Sequence, residues 1–341
     1  MSGVQRWRAS LVAVVALVVV AACGSGSDDG PAETDEANGA FPVTVDHEFG
    51  STTVESEPQR IVVAGLTEQD TVLQLGFQPV ATTEWYGEQP DAVWPWAHDL
   101  LGDDKPTVLT QTDGLEYEKI IGLKPDLIIA VNAGLDQEMY DKLSKIAPTV
   151  AQPEGGTQYF SPWDEQAIQT AKALGKEAEG RQLVEDVKAK YAKVAAEHPE
   201  FKDKTATFSQ GEPYDGLLYV YPDGLSTEFL TYLGFVIPKG LEDYTDGPGT
   251  QAMISDERLD LIDKDVIVFA TEKSGNIDKL KKMPTFETLN AVKENRAVYT
   301  DPIVSGALYF ITPLSLDYAL DKLTPQLERA VNGESPQAVG Q

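Results

Sequence analysis

The feature that most constrains this chain is an alternation of β-branched, apolar runs with stretches of helical period. Residues 61–65 read IVVAG, 127–131 read LIIAV and 266–270 read VIVFA. Runs this apolar over so few residues fit strands buried on both faces. Between the first two lie a helix over residues 68–75 closed by Gly76, a short strand over 79–83, and a helical stretch over 117–123. A helix over 137–146 then leads to a strand at Thr149 and Val150. Strand, helix and strand in succession require right-handed crossovers, and so a mostly parallel sheet covered on both faces. In Leu123-Lys124-Pro125-Asp126 the proline disfavours the helical conformation for Lys124, which ends one element and launches the next.

Residues 164–198 read as one helical region with a break at Leu174-Gly175. In its second part Leu183, Val187, Tyr191 and Val194 recur at spacings of four, four and three, which predicts one buried stripe. About 22 residues of helix span roughly 33 Å, enough for a rigid strut between two lobes. Beyond it the pattern repeats, with strands over 205–209, 217–221, 266–270 and 297–299 and helices over 226–233 and 313–323. The predicted architecture is therefore two α/β lobes with mostly parallel sheets, over 41–163 and 199–335. The helical region 164–198 joins them, and a ligand cleft lies between them.

The start of the chain has a different character. Arg6 and Arg8 precede an apolar run from Leu11 to Ala22, about a dozen residues and too short to span a bilayer of about 30 Å. The small residues before Cys23, the only cysteine, resemble a bacterial lipobox, which makes 1–22 a lipoprotein signal peptide and Cys23 the lipid-bearing first residue. Residues 24–40 carry five acids and no base, with almost no apolar surface to offset the entropy of ordering, so 23–40 reads as an acidic flexible tether. The formal charge is −28. Nucleic acid is excluded as a partner, because its affinity depends on lysine and arginine neutralising phosphates.

Several segments in order carry a family resemblance: Pro58-Gln59-Arg60-Ile61-Val62-Val63 with Gln74-Leu75-Gly76-Phe77; Tyr117-Glu118-Lys119-Ile120 through Lys124-Pro125-Asp126; Tyr140-Asp141-Lys142-Leu143 through Pro148-Thr149-Val150; Leu230-Thr231-Tyr232-Leu233-Gly234-Phe235; Ile254-Ser255-Asp256-Glu257-Arg258-Leu259; Asn295-Arg296-Ala297-Val298-Tyr299; and Pro313-Leu314-Ser315-Leu316-Asp317-Tyr318. Together they resemble the helical-backbone substrate-binding proteins of ABC importers for iron siderophores, haem and cobalamin, over nearly the whole chain after Phe41. The resemblance implies a monomeric, lipid-anchored receptor on the outer face of the cell membrane. Such a receptor binds a ferric siderophore, uses no cofactor, and delivers its ligand to a permease dimer with its ATPase. It also implies one docking glutamate per lobe, at Glu118 and Glu257, where a carboxylate meets an arginine fork. Arg60 and Arg296 match positions that support the fold.

In open α/β sheets ligands bind beyond the carboxyl ends of the strands. The candidate contacts are Thr67, which also suits a helix cap, Glu84, Trp85, Tyr86, Asn132, Trp163, Tyr214, Tyr221 and Leu225, together with Tyr309 and Phe310 in a loop before the last helix. Trp94 and Trp96 complete an aromatic-rich segment, three of five tryptophans within a dozen residues, but rank lower as contacts. Aromatic rings suit a bulky chelate because they offer large area with little flexibility. None of these loops carries an arginine, so a neutral or cationic hydroxamate chelate fits better than a polyanionic catecholate or carboxylate, with Glu84 facing an ammonium group. Haem or cobalamin is the alternative ligand, and only His98 lies near a cleft loop as an axial donor. A surface-anchored enzyme is the alternative class. Against it stands the absence of any G-x-S-x-G, H-E-x-x-H or G-x-G-x-x-G motif.

Overall fold

The computed structural model describes residues 41–335 apart from positions 104, 157, 160 and 248. The signal peptide, Cys23 and the tether lie outside the described residues. No helix of the described residues is long and apolar enough to cross a membrane.

A hairpin of β1 (Val43–His47) and β2 (Gly50–Val54), absent from the sequence reading, opens the description. Five parallel strands follow: β3 (Ile61–Val63), β4 (Ala81–Glu84), β5 (Thr107–Thr110), β6 (Leu127–Ile129) and β7 (Thr149–Val150), in the order β5-β4-β3-β6-β7. Alternate residues serve two cores. Ile61, Val63, Leu127 and Ile129 pack on one face, and Val62 and Ile128 on the other. Helices α1 (Gln69–Gln74), α2 (Pro95–His98), α3 (Tyr117–Leu123) and α4 (Gln137–Leu143) connect these strands.

The helix α3 ends as the proline requires, but by a different conformation. Lys124 takes the left-handed region (φ 50°, ψ 58°) instead of the extended one. The turn is clasped from outside. Asp126 accepts the Gln59 and Arg60 amides at 2.8 and 2.9 Å, and the Arg60 guanidinium donates to the Leu123 and Lys124 carbonyls. Arg296 does the equivalent in the second lobe, donating to the Lys264 and Asp265 carbonyls.

The long helical region divides into α5 (Trp163–Ala173) and α6 (Glu177–Glu197), with Gly175 in the left-handed region between them. The buried face of α6 is Gly180, Val184, Val187 and Tyr191, whereas Leu183 and Val194 are half-buried, so the expected stripe is rotated at its ends. A β-carbon at Gly180 would stand 2.3 Å from that of Ala171, so glycine lets α6 approach α5 this closely and puts this position on the buried face.

The second sheet holds β8 (Ala206–Gln210), β9 (Leu217–Tyr221), β10 (Ala252–Ser255), β11 (Val266–Ala270) and β12 (Ala297–Tyr299), in the order β10-β9-β8-β11-β12. It is mixed, because β9 runs antiparallel to both neighbours. Asp215 and Gly216, both at positive φ, form the tight turn that returns the chain directly beside β8. The predicted helix over 226–233 divides into a 3₁₀ turn over 225–227 and α7 (Glu228–Thr231). The helices α8 (Asn276–Leu280), α9 (Asn290–Lys293), α10 (Pro302–Phe310) and α11 (Pro313–Val331) complete this lobe. Tyr309 and Phe310 therefore belong to a helix and not to a loop. Asp301 caps α10 by accepting the Val304 amide, Pro302 stands at its first position, and Ile311 at φ 51° ends it.

Candidate functional site

The strand order reverses direction between β3 and β6 in one sheet and between β8 and β11 in the other, the positions at which open α/β sheets place their ligands. At the first, the buried Glu68 carboxylate accepts the Thr67 amide at 3.0 Å and the Asn132 amide at 2.7 Å, while Asn132 Nδ2 donates to Thr67 Oγ1 at 3.1 Å. Burial holds the Glu68 carboxyl above the usual carboxylate range. Gly65 makes room for it, since a β-carbon there would lie 1.9 Å from Glu68 Oε1. Thr67 does not cap α1; its hydroxyl is committed to Asn132. Both are buried.

The walls are aromatic and come from both lobes. Trp85 and Tyr86, just past β4, meet Phe310 and Tyr309 of α10 at ring separations of 5.5 and 5.8 Å. Tyr309 lies 6.2 Å from Tyr221 at the end of β9, which stacks on Phe208 at 4.6 Å. Four positions favoured from sequence, Trp85, Tyr86, Tyr221 and Tyr309, thus form one continuous set with Phe310. The Tyr86 hydroxyl is buried with no hydrogen-bond partner, and burial raises its pKa. Burial pushes Tyr221 up to about 12. Two acids border the set. Glu84 accepts the Glu88 amide at 2.9 Å, and Glu272, just beyond β11 at the second reversal, accepts the Tyr309 hydroxyl at 3.0 Å. Among the described residues neither acid is paired with a lysine or arginine.

The remaining candidates lie outside the aromatic set, although Trp163 lines a small cavity together with Thr67 and Glu68. Trp163 is buried and donates to Glu228 Oε2 at 3.1 Å, which makes it a core residue between α5 and α7. Tyr214 is 66% exposed on the β8–β9 turn, and Leu225 is half-buried where the 3₁₀ turn begins. Trp94 and Trp96 stack at 5.0 Å, with Trp94 wedged against Gly87 and Gly306, so they support the wall from behind. His98 is exposed at the end of α2. Three acids escaped the sequence reading: Glu68, Asp70 and Glu272. The buried Asp70 accepts Trp96 Nε1 at 2.7 Å and the Thr312 hydroxyl at 2.6 Å, linking α1 to the N-cap of α11. The only signal for Glu68 and Asp70 was two carboxylates directly after a buried strand.

A family model described as periplasmic binding protein matches residues 61–304, more than two thirds of the chain. The chain belongs to this family. A putative ABC transporter substrate-binding lipoprotein of Bacillus subtilis, YhfQ, is 30% identical over 86% of this chain and 90% of its own. The Fe(3+)-citrate-binding protein YfmC of the same organism is 28% identical over 85% and 87%. The crystal structure of Streptococcus pneumoniae PiaA in complex with ferrichrome matches with a TM-score of 0.70 and 27% identity, over 86% of this chain and all of that one. In this periplasmic binding protein both motif-matched glutamates are exposed, Glu118 in the first turn of α3 and Glu257 in the 3₁₀ segment after β10. A concavity of about 770 Å³ lies apart from the aromatic wall, beside Glu118, lined by Tyr117, Ile121, Lys124, Lys142, Lys145 and Ile146.

Proposed function

We propose that this chain is the substrate-binding subunit of an ABC importer, held at the outer face of the membrane through Cys23. It takes up a ferric siderophore between its lobes, hands it to a permease dimer through Glu118 and Glu257, and performs no chemistry on it. The observation that carries this reading is the two-lobed aromatic wall of Trp85, Tyr86, Tyr221, Tyr309 and Phe310, bordered by Glu84 and Glu272, neither of which is paired with a lysine or arginine among the described residues. Large rigid rings suit a bulky chelate. Two unpaired carboxylates repel polyanionic chelates such as ferric citrate and favour neutral or cationic hydroxamates.

The test is a tryptophan-fluorescence titration of the mature protein with ferrioxamine B, ferrichrome, ferric citrate, a ferric catecholate and haemin. Saturable quenching by the hydroxamates, at least tenfold tighter than by citrate, is expected. Tighter binding of citrate or the catecholate overturns the hydroxamate assignment, a shifted Soret band with haemin alone makes the protein a haem receptor, and no response to any chelate removes the receptor reading.

A further inference from the structure

The 21-residue helix α6 ends with no lysine or arginine in its last turn, where Glu197 meets Lys193 of the preceding turn at 3.9 Å. His198, Pro199 and Glu200 follow directly. The last helix, α11, brings a second helix C-terminus near the same place and adds Glu328, while its neighbour Arg329 is turned away to the Ser335 carbonyl and Glu334. His198 Nδ1 lies 2.8 Å from Glu200 Oε1, and one ligand atom from each of His198, Glu200 and Glu328 lies within 4.8 Å of the others. Among the described residues no other three His, Cys, Asp or Glu side chains converge in this way.

We propose that His198, Glu200 and Glu328 form a binding site for a divalent transition-metal ion of the zinc type, joining the end of α6 to the end of α11. An imidazole with two carboxylates suits zinc and its borderline neighbours, whereas calcium and magnesium prefer all-oxygen sets. A tetrahedral ion with bonds of about 2.1 Å places its ligands roughly 3.4 Å apart, wider than the 2.8 Å between His198 and Glu200 and inside the 4.8 Å that bounds all three ligand atoms. Water takes the fourth position. The His198 ring is already held flat against the buried Phe201, 4.9 Å between centroids at 7°, and Pro199 fixes the backbone between the two ligands from the connecting segment. The ion replaces the hydrogen bond between His198 and Glu200. It lies where α6 passes into the second lobe, and binding there stabilises the folded chain by mass action.

The experiment uses the mature protein, stripped of metal with a chelator and free of siderophore, titrated with zinc chloride by calorimetry and followed by thermal melting. One ion per chain and a zinc-dependent rise in Tm are expected. His198→Ala and Glu328→Ala each weaken binding at least tenfold and remove the Tm rise, while His98→Ala leaves both intact. Substituted Co²⁺ shows a four-coordinate visible spectrum in the parent and loses it in both variants. Circular dichroism matching the parent establishes that the variants are folded, and Glu328 is exposed, so its truncation spares the core. No saturable binding, binding unchanged in both variants, or binding lost instead in His98→Ala overturns the proposal.

Discussion

Asp70 shows how much one side chain can determine. It is fully buried, one oxygen holds both Trp96 and Thr312, and the other has no partner. Burial pushes its carboxyl from 3.8 up to about 7. Because the folded value lies above the unfolded one, its contribution to stability is complete below about pH 4, declines between pH 4 and 7, and is lost above. The range corresponds to on the order of 4 kcal/mol. Glu68, raised in the same direction by burial, adds to the same slope. Urea midpoints measured from pH 4 to 8 are expected to fall with rising pH in the parent and to fall less in Asp70→Asn, which keeps an acceptor but cannot ionise. Equal slopes would show that Asp70 does not titrate in this interval. Neither acid announced itself in the sequence, since Glu68-Gln69-Asp70 reads as an ordinary polar helix start and only burial turns it into a pair of perturbed carboxyls.

At the scale of elements, the segments with a clear period were legible and those without were not. Helix α3 and strands β9, β11 and β12 have the predicted bounds: β9 alternates against the core, and β11 is a short apolar run buried throughout. The edge strands β5 and β10, four residues each, and the β1–β2 hairpin are too short or too polar to stand out and escaped notice. Helix α10 failed for the opposite reason. Its sequence PIVSGALYF is buried on nearly every side, so it has no polar face to mark a helical period. The α5–α6 contact supports a prediction at this scale. Gly180→Ala gains about 1 kcal/mol of helix propensity, but the new methyl meets Ala171 at 2.3 Å, and overpacking of this kind costs about 1–3 kcal/mol. Packing wins, so calorimetry is expected to show a Tm lower by a few degrees, and a rise would show that α6 can move away from α5 without cost.

On the scale of the whole molecule, two lobes each present one exposed glutamate, and the basic, partly apolar concavity beside Glu118 adds lysines to one of these faces. The combined Glu118→Ala and Glu257→Ala protein is expected to bind ferric chelate like the parent while supporting no uptake, measured as cell-associated radioactive iron in a strain lacking the native copy. Normal uptake would remove both residues from docking. The α/β class, the two-lobe division, the break at Gly175 and the stop at Lys124 were all determined by the sequence itself, because periodicity and backbone restriction act within a few residues of where they are read. Only the tertiary structure decided that Trp85 and Tyr86 meet Tyr309 and Phe310, that Asp70 binds Thr312 across 242 positions, and which face of α6 is buried. A local pattern reports whether a residue faces core or water; which distant residue it faces depends on how whole elements pack, and that information lies in no single segment.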